Sequence, residues 1–143
     1  MTGVQTCALP ISEEEFRKKI EDDELVEWEE IYGDFYGTLR SEVQRSFRSG
    51  KSMLFDVDVK GALSIKKRYP EAILIFIKPP SNEVLKKRLV KRKTESEEAL
   101  QKRLERVPME LEQEKLFDYS LVNEDVKTTV NEIEKILGLR KKV

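Results

Sequence analysis

Residues 72–78 (AILIFIK) form an apolar segment closed by Pro79 and Pro80, and this segment constrains the fold more than any other feature. It lacks the alternation of a half-exposed strand and is typical of a strand in a parallel sheet that is covered on both faces. Residues 52–59 (SMLFDVDV) predict a second buried strand that ends in carboxylates. Residues 118–123 (DYSLVN) predict a third, shorter strand. Helical patterns separate these segments, so the sequence predicts an α/β fold with right-handed crossovers.

Five segments carry helical signals. They are residues 13–20 with Ser12 as a possible N-cap, 41–49 ended by Gly50, 61–69, a helix capped by Ser81, and 126–137. Residues 25–36 (LVEWEEIYGDFY) are aromatic and β-branched around Gly33-Asp34, which predicts a small hairpin. Pro108 is expected to kink a helix or to mark its first turn.

The composition excludes several kinds of site and partner. The chain has no histidine, which excludes histidine triads and zinc–histidine centres. Its single cysteine, Cys7, excludes an internal disulfide and suits a reducing compartment, so we expect a cytoplasmic protein. The net charge of −1 argues against a general binder of nucleic acids or membrane surfaces. No apolar run approaches the roughly 18–20 residues of a membrane span.

The near-zero net charge conceals two oppositely charged segments. Residues 13–36 carry eleven acids and three bases, whereas residues 83–106 carry nine bases and five acids. These segments are either two solvated faces or, for the basic one, a surface that meets an anion such as a polyphosphate.

Residues 1–12 (MTGVQTCALPIS) differ abruptly from the rest, because they contain none of the chain's charged side chains. They lack the positive region of a secretory signal and show neither a strand nor a helix period. The string resembles the translated read-through of a sequencing adapter, and a natural disordered N-terminus is the alternative. We expect a foreign tail here, with the true N-terminal part missing.

Two sets of charged residues are candidates for chemistry. Asp56 and Asp58 follow an apolar segment, where a magnesium–nucleotide enzyme places a metal-holding carboxylate, although an aspartate that caps the next helix is as common. Arg88 and Arg92 are four residues apart on one predicted helix face, and Arg103 follows a polar segment suited to a mobile lid. Guanidinium groups pair bidentately with phosphate, and a solvent-exposed basic face is the alternative.

A third set lies around the predicted hairpin. The Glu27 carboxylate beside Trp28 has the two acceptor oxygens that a guanine N1–H and 2-amino group require. Tyr36 and Thr38 flank Gly37, and their hydroxyls suit a phosphate and a base carbonyl. Taken singly, each of these residues has packing or a turn as its simpler explanation.

Five segments in order resemble the guanylate kinase family from about Glu13 to the C-terminus. They are LVEWEEIYGDFYGT, MLFDVDVKGA, AILIFIKPPS, LKKRLVKRKTESEEALQKRL and FDYSLVNEDV. The resemblance implies a parallel-sheet P-loop nucleoside monophosphate kinase fold with a GMP-binding subdomain and a helical lid. It implies transfer of the ATP γ-phosphoryl to GMP with Mg²⁺, with no nucleic-acid or membrane partner.

The resemblance also implies roles for individual residues. Glu27 and Thr38 match the residues that contact guanine, Tyr36 matches the one that contacts the GMP phosphate, and Asp58 matches a further GMP-site acid. Arg88, Arg92 and Arg103 match the lid arginines that clamp phosphates. Asn123 matches a position near the adenine, and Asp56 is a metal candidate acting through water. The implied organisation is a tail (1–12), a partial GMP-binding subdomain (13–39), a core (40–83), a lid (84–105) and the rest of the core (106–143).

One departure from the family affects activity. None of the six glycines belongs to a G-x-x-x-x-G-K-S/T loop, and Gly50-Lys51-Ser52 lacks the upstream glycine and leads into a predicted strand. That loop's N–H groups and lysine hold the ATP phosphates in this family. We therefore expect the fold to lack its first strand and phosphate-binding loop, and this chain to be inactive as a kinase. The alternative is a catalytically dead guanylate-kinase-like module that binds a protein.

Overall fold

The computed structural model describes residues 11–31, 33–91 and 97–139, which form two compact units divided between Glu71 and Ala72. The first unit contains α1 (Glu13–Glu21), β1 (Leu25–Ile31), β2 (Asp34–Leu39), α2 (Arg40–Arg48) and α3 (Val59–Arg68). The second contains β3 (Ile75–Lys78), α4 (Asn82–Lys91), α5 (Glu97–Glu112), a 3₁₀ turn (Gln113–Leu116), β4 (Tyr119–Val122) and α6 (Val126–Ile136). The predicted α/β class is confirmed.

Helix α1 begins where the sequence predicts. The Ser12 hydroxyl accepts a hydrogen bond from the Glu15 N–H at 3.2 Å, and the Glu15 carboxylate accepts one from the Ser12 N–H at 2.9 Å. This reciprocal pair satisfies two N–H groups that the helix itself leaves unbonded. Ser12 is therefore the N-cap, and Phe16 is the buried residue of this helix.

Strands β1 and β2 form the predicted antiparallel hairpin, with Glu27 opposite Thr38 and Glu29 opposite Tyr36. Because side chains alternate along a strand, these four residues share one face of the hairpin. Phe35 lies on the other face and packs on Phe16 of α1, with ring centroids 5.4 Å apart. The aromatic residues Trp28 and Phe35 thus lie on the face towards α1, and Glu27, Glu29, Tyr36 and Thr38 lie on the opposite face.

Gly37 is required by the packing of the hairpin on α1. A Cβ added there would lie 2.9 Å from the Glu27 carbonyl oxygen and 3.1 Å from Cζ of Phe16. Any larger residue would push α1 away from the hairpin.

The strand predicted over residues 52–59 is wrong. Residues 51–58 have no regular structure, Leu54 is 73% exposed, and Val59 begins α3. An apolar segment becomes a strand only when a neighbouring strand takes up its backbone hydrogen bonds, and none of the described strands pairs with it. The predicted burial is wrong as well, since none of residues 51–58 is buried. Both predictions failed because burial and pairing depend on partners elsewhere in the chain.

The second unit is built on a two-stranded parallel sheet. Strand β3 pairs with β4 from Ile75 opposite Tyr119 to Lys78 opposite Val122. Leu74 and Phe76 are buried, and Phe76 meets Phe117 edge-on at 5.1 Å between centroids. Both strands lie within the predicted segments, and the parallel pairing is confirmed.

Pro108 lies inside α5, which excludes the first turn of the two predicted positions, and the predicted kink stays a prediction. The helix continues to Glu112 although the proline has no N–H to donate to the carbonyl four residues earlier. Among the described residues, no helix is long and apolar enough to cross a membrane.

Candidate functional site

The Glu27 carboxylate lies at the meeting point of the hairpin and the first turn of α3. Its Oε1 accepts a hydrogen bond of 2.6 Å from the Thr38 hydroxyl. Its Oε2 lies 3.2 Å from the point where a side chain on Gly61 would begin. Glu27 is half-buried, so this carboxylate is held on one side and bounded by glycine on the other. The structure therefore brings Glu27 and Thr38 together, as the site hypothesis requires.

The direction of the Thr38 hydrogen bond restricts what this hydroxyl can do. A hydroxyl has one O–H to donate and two lone pairs that accept. Because that proton goes to Glu27, Thr38 in this state can accept from a base but cannot also donate to a base carbonyl. Thr38 thus both orients the carboxylate and offers an acceptor beside it.

Tyr36 lies on the same polar face of the hairpin, two residues before Thr38. Its side chain is 55% exposed, which leaves the phenol accessible to a ligand. The predicted guanine and phosphate contacts of the first unit, Glu27, Thr38 and Tyr36, therefore share one surface.

Asp58 has a structural task in this arrangement. Its Oδ1 accepts a 2.8 Å hydrogen bond from the Gly61 N–H, which makes Asp58 the N-cap of α3. The same oxygen lies 3.3 Å from the point where a Gly61 side chain would begin, so the Asp58 and Glu27 carboxylates border the same glycine. Asp58 therefore lies near Glu27 as the N-cap of α3, and it is not the last residue of a strand.

Asp56 is exposed in the irregular segment that precedes α3. Within residues 11–31, 33–91 and 97–139 there is no group of three or more acidic or cysteine side chains that could hold a metal ion. Magnesium in nucleotide enzymes takes most of its ligands from water and phosphate, with one or two protein carboxylates. The residues present fit a metal that arrives with a nucleotide, and the role of Asp56 stays a prediction.

In the second unit, Arg88 and Asn123 are in direct contact. The Arg88 guanidinium donates to the carbonyl oxygens of Asn123 at 2.8 Å and Glu124 at 3.0 Å. The Asn123 side chain accepts a 3.1 Å hydrogen bond from the hydroxyl of Thr129, which is 5% exposed. Arg88 therefore holds the turn after β4 in this structure, and its predicted phosphate contact stays a prediction.

The structure shows less about Arg103 and Arg92, the other two predicted lid arginines. Arg103 lies half-buried in α5. Arg92 lies outside the described residues, so its expected position on one helix face with Arg88 stays a prediction.

Sequence reasoning missed Asp23, at the turn between α1 and β1. Its carboxylate accepts hydrogen bonds from Arg40 and, at 2.6 Å, from Arg68. These two guanidinium groups, Arg68 first, lower the pKa of Asp23 from 3.8 to about 2. The acidic run around it gives no sign of a partner 45 residues away.

The chain matches a known protein family over most of its length. The family model described as guanylate kinase matches residues 9–139. The chain belongs to the guanylate kinase family. The match begins inside the segment expected to be a foreign tail.

Named relatives agree with the family model. The chain is 49% identical over 130 residues to a guanylate kinase of Porphyromonas gingivalis, covering 90% of this chain and 69% of that protein. It is 40% identical over 126 residues to a guanylate kinase of Desulfitobacterium hafniense, covering 88% of this chain and 63% of the relative. The chain thus spans about two thirds of the length of these guanylate kinases.

A solved structure is similar over almost the whole chain. The crystal structure of guanylate kinase from Anaplasma phagocytophilum aligns with a TM-score of 0.73 and 27% identity. The alignment covers 99% of this chain and 72% of that one. The fold of this chain is therefore that of the guanylate kinase family.

Proposed function

We propose that this chain recognises the guanine base of GMP through Glu27 and Thr38. The observation that carries the proposal is the half-buried Glu27 carboxylate, whose Oε1 is held by Thr38 and whose Oε2 lies over Gly61. Guanine presents N1–H and the 2-amino group side by side, and a carboxylate is the side chain that accepts from both. Adenine offers no such pair of donors, so this arrangement selects GMP over AMP.

The reaction we propose for the protein is that of its family, ATP plus GMP giving ADP plus GDP. A phosphate oxygen of GMP attacks the γ-phosphorus of ATP, and the bond from that phosphorus to the β–γ bridging oxygen breaks. Tyr36 contacts the GMP phosphate. Arg88, Arg92 and Arg103 neutralise charge on the transferring group, which is the main contribution a protein makes to phosphoryl transfer.

The remaining parts of the proposal concern ATP. Asn123 lies near the adenine, and Asp58 borders the GMP site. Asp56 would hold Mg²⁺ through water, and the ion that accompanies ATP would neutralise phosphate charge. The single cysteine suits a cytoplasmic location.

Guanine recognition is tested by Glu27→Gln in the 143-residue chain, with GMP affinity measured by calorimetry. The glutamine amide places a donor where the carboxylate offered an acceptor, so a guanine donor loses its partner. We expect a loss of about 1–3 kcal/mol in binding, which is roughly 5- to 150-fold in Kd.

The matched control is Glu30→Gln, which removes the same charge from the opposite face of β1. We expect GMP affinity to be unchanged in this control. Equal losses in the two variants, or an unchanged Kd in Glu27→Gln, would contradict guanine recognition by Glu27.

A further inference from the structure

Asp23 connects three elements of the first unit. Of the residues that the structure describes, it is the only non-glycine residue with positive φ, at 53°. Aspartate and asparagine tolerate this left-handed conformation better than most residues. The conformation directs the Asp23 carboxylate to Arg40, the first residue of α2, and to Arg68, the last residue of α3.

The same turn closes the base of the hairpin. The Arg40 N–H donates to the Glu24 carbonyl at 2.8 Å, so the backbone and the side chain of Arg40 both bind the turn that leads into β1. Asp23 therefore lies where the start of β1, the end of β2 and the end of α3 meet.

Strand β1 and helix α3 are thus joined at two places. At the end of α3 the joint is the Asp23–Arg68 ion pair. At its beginning the Glu27 Oε2 approaches the helix, 3.2 Å from where a Gly61 Cβ would lie. Glu27 follows Asp23 by only four positions in the chain, and the two residues before Glu27 belong to β1. A shift of β1 along α3 would therefore move the Glu27 carboxylate off Gly61.

We propose that Asp23 is a positioning residue for guanine recognition, which by holding Arg40 and Arg68 fixes β1 against α3 and keeps the Glu27 carboxylate over Gly61. This inference rests on the proposed function, since Glu27 is the residue that reads the base. Asp23 itself does not touch the nucleotide.

The test compares Asp23→Asn with Asp22→Asn in the whole chain. Asparagine keeps the size and the left-handed backbone of residue 23 and removes only the charge. Asp22→Asn removes the same charge from the neighbouring residue, which is exposed. The measured quantity is the ratio of the Kd values for IMP and GMP, because IMP lacks the 2-amino group and so reports one of the two Glu27 contacts.

This ratio separates positioning from stability. A loss of folded protein lowers the affinity for both nucleotides by the same factor and leaves the ratio unchanged. We expect the preference for GMP to fall at least threefold in Asp23→Asn and to stay at the wild-type value in Asp22→Asn. Arg68→Gln should lower the preference by no more than Asp23→Asn does, because it breaks one of the two ion pairs of Asp23. The double variant should add little to Asp23→Asn, because the pair with Arg68 is already lost there.

An unchanged ratio in Asp23→Asn, with GMP still preferred, would overturn the positioning role and leave the proposed function intact. If the wild-type chain shows no preference for GMP, the proposed function fails. The attachment of β1 to α3 by Asp23 is then tested without a nucleotide. Amide hydrogen exchange at Glu27 and Thr38 should be faster in Asp23→Asn than in Asp22→Asn, while exchange at β3 and β4 stays the same. Equal exchange in the two variants would overturn the positioning role.

Discussion

At the scale of the residue, the two oxygens of Glu27 have different surroundings. Oε1 accepts from a hydroxyl, whereas Oε2 lies 3.2 Å from where a Gly61 Cβ would be. Glycine inside a helix normally destabilises it by about 1 kcal/mol relative to alanine. Its presence in the first turn of α3 is explained by the room that the Glu27 carboxylate needs.

We therefore expect Gly61→Ala to weaken GMP binding while it leaves the free energy of unfolding nearly unchanged. The gain in helix propensity of about 1 kcal/mol offsets the crowding with Glu27 and Val57, so the free energy of unfolding should change by less than about 1 kcal/mol. The added methyl group displaces the carboxylate, and GMP affinity should fall about fivefold, the value of one hydrogen bond.

Urea unfolding and calorimetry measure these two quantities. The control is Ser64→Ala on the same helix, where the side chain is exposed and only helix propensity changes. A Gly61→Ala variant that binds GMP as tightly as Ser64→Ala would show that the carboxylate does not need this space.

At the scale of the element, helix starts follow from local sequence. Ser12, Asp58, Ser81 and Asp125 all accept a hydrogen bond from an N–H three residues on, which is the reason the helices begin where they do. The sequence predicts Ser12 and Ser81 as caps, and it offers a helix cap as the alternative to a strand end for Asp58. Strands are harder to predict because their partners lie far away in sequence.

The N-cap hydrogen bond of Asp58 and its predicted contact with GMP can be tested separately. Asp58→Ala removes the hydrogen bond to Gly61 and should lower the free energy of unfolding by about 1 kcal/mol, whereas asparagine caps as well as aspartate. Asp58→Asn should therefore unfold at nearly the wild-type urea concentration. If Asp58 also contacts GMP through its charge, Asp58→Asn should still bind GMP more weakly. Wild-type affinity in Asp58→Asn would contradict a GMP contact made through the charge of Asp58.

At the scale of the whole molecule, the two units are not equally well packed. Among its described residues, the first buries six apolar side chains: Phe16, Leu25, Val26, Val43, Ala62 and Ile65. The second buries only Leu74 and Phe76 among its described residues, while Ile73, Ile77 and Val126 are about half exposed or more. The residues predicted for guanine recognition thus belong to the better packed unit.

We predict that the 143-residue chain binds GMP but transfers no phosphoryl group to it. The chain contains no glycine-rich loop with a following Lys-Ser or Lys-Thr to hold the ATP phosphates, and phosphoryl transfer depends on such positioning. A coupled assay for ADP should therefore give no GMP-dependent signal. Calorimetry with GMP on the same preparation is the control for folded protein.

GMP-dependent release of ADP by the pure chain would contradict this prediction. Binding of GMP without transfer would agree with it and would also suit the alternative of a binding module that has lost catalysis.

The sequence by itself determined the family, the α/β class, the hairpin and most helix boundaries. These follow from local patterns, namely apolar runs, caps, turn residues and motifs in order. It also predicts Glu27, Tyr36 and Thr38 as guanine and phosphate contacts, and these roles stay predictions.

Only the tertiary structure decided that residues 51–58 form no strand, that Arg88 holds the carbonyls after β4, and that Asp23 joins β1 to α3. Each depends on a partner distant in sequence, so no local pattern reports it. Backbone pairing and ion pairs are decided by which groups meet after folding, and that is the physical reason the sequence alone could not reveal them.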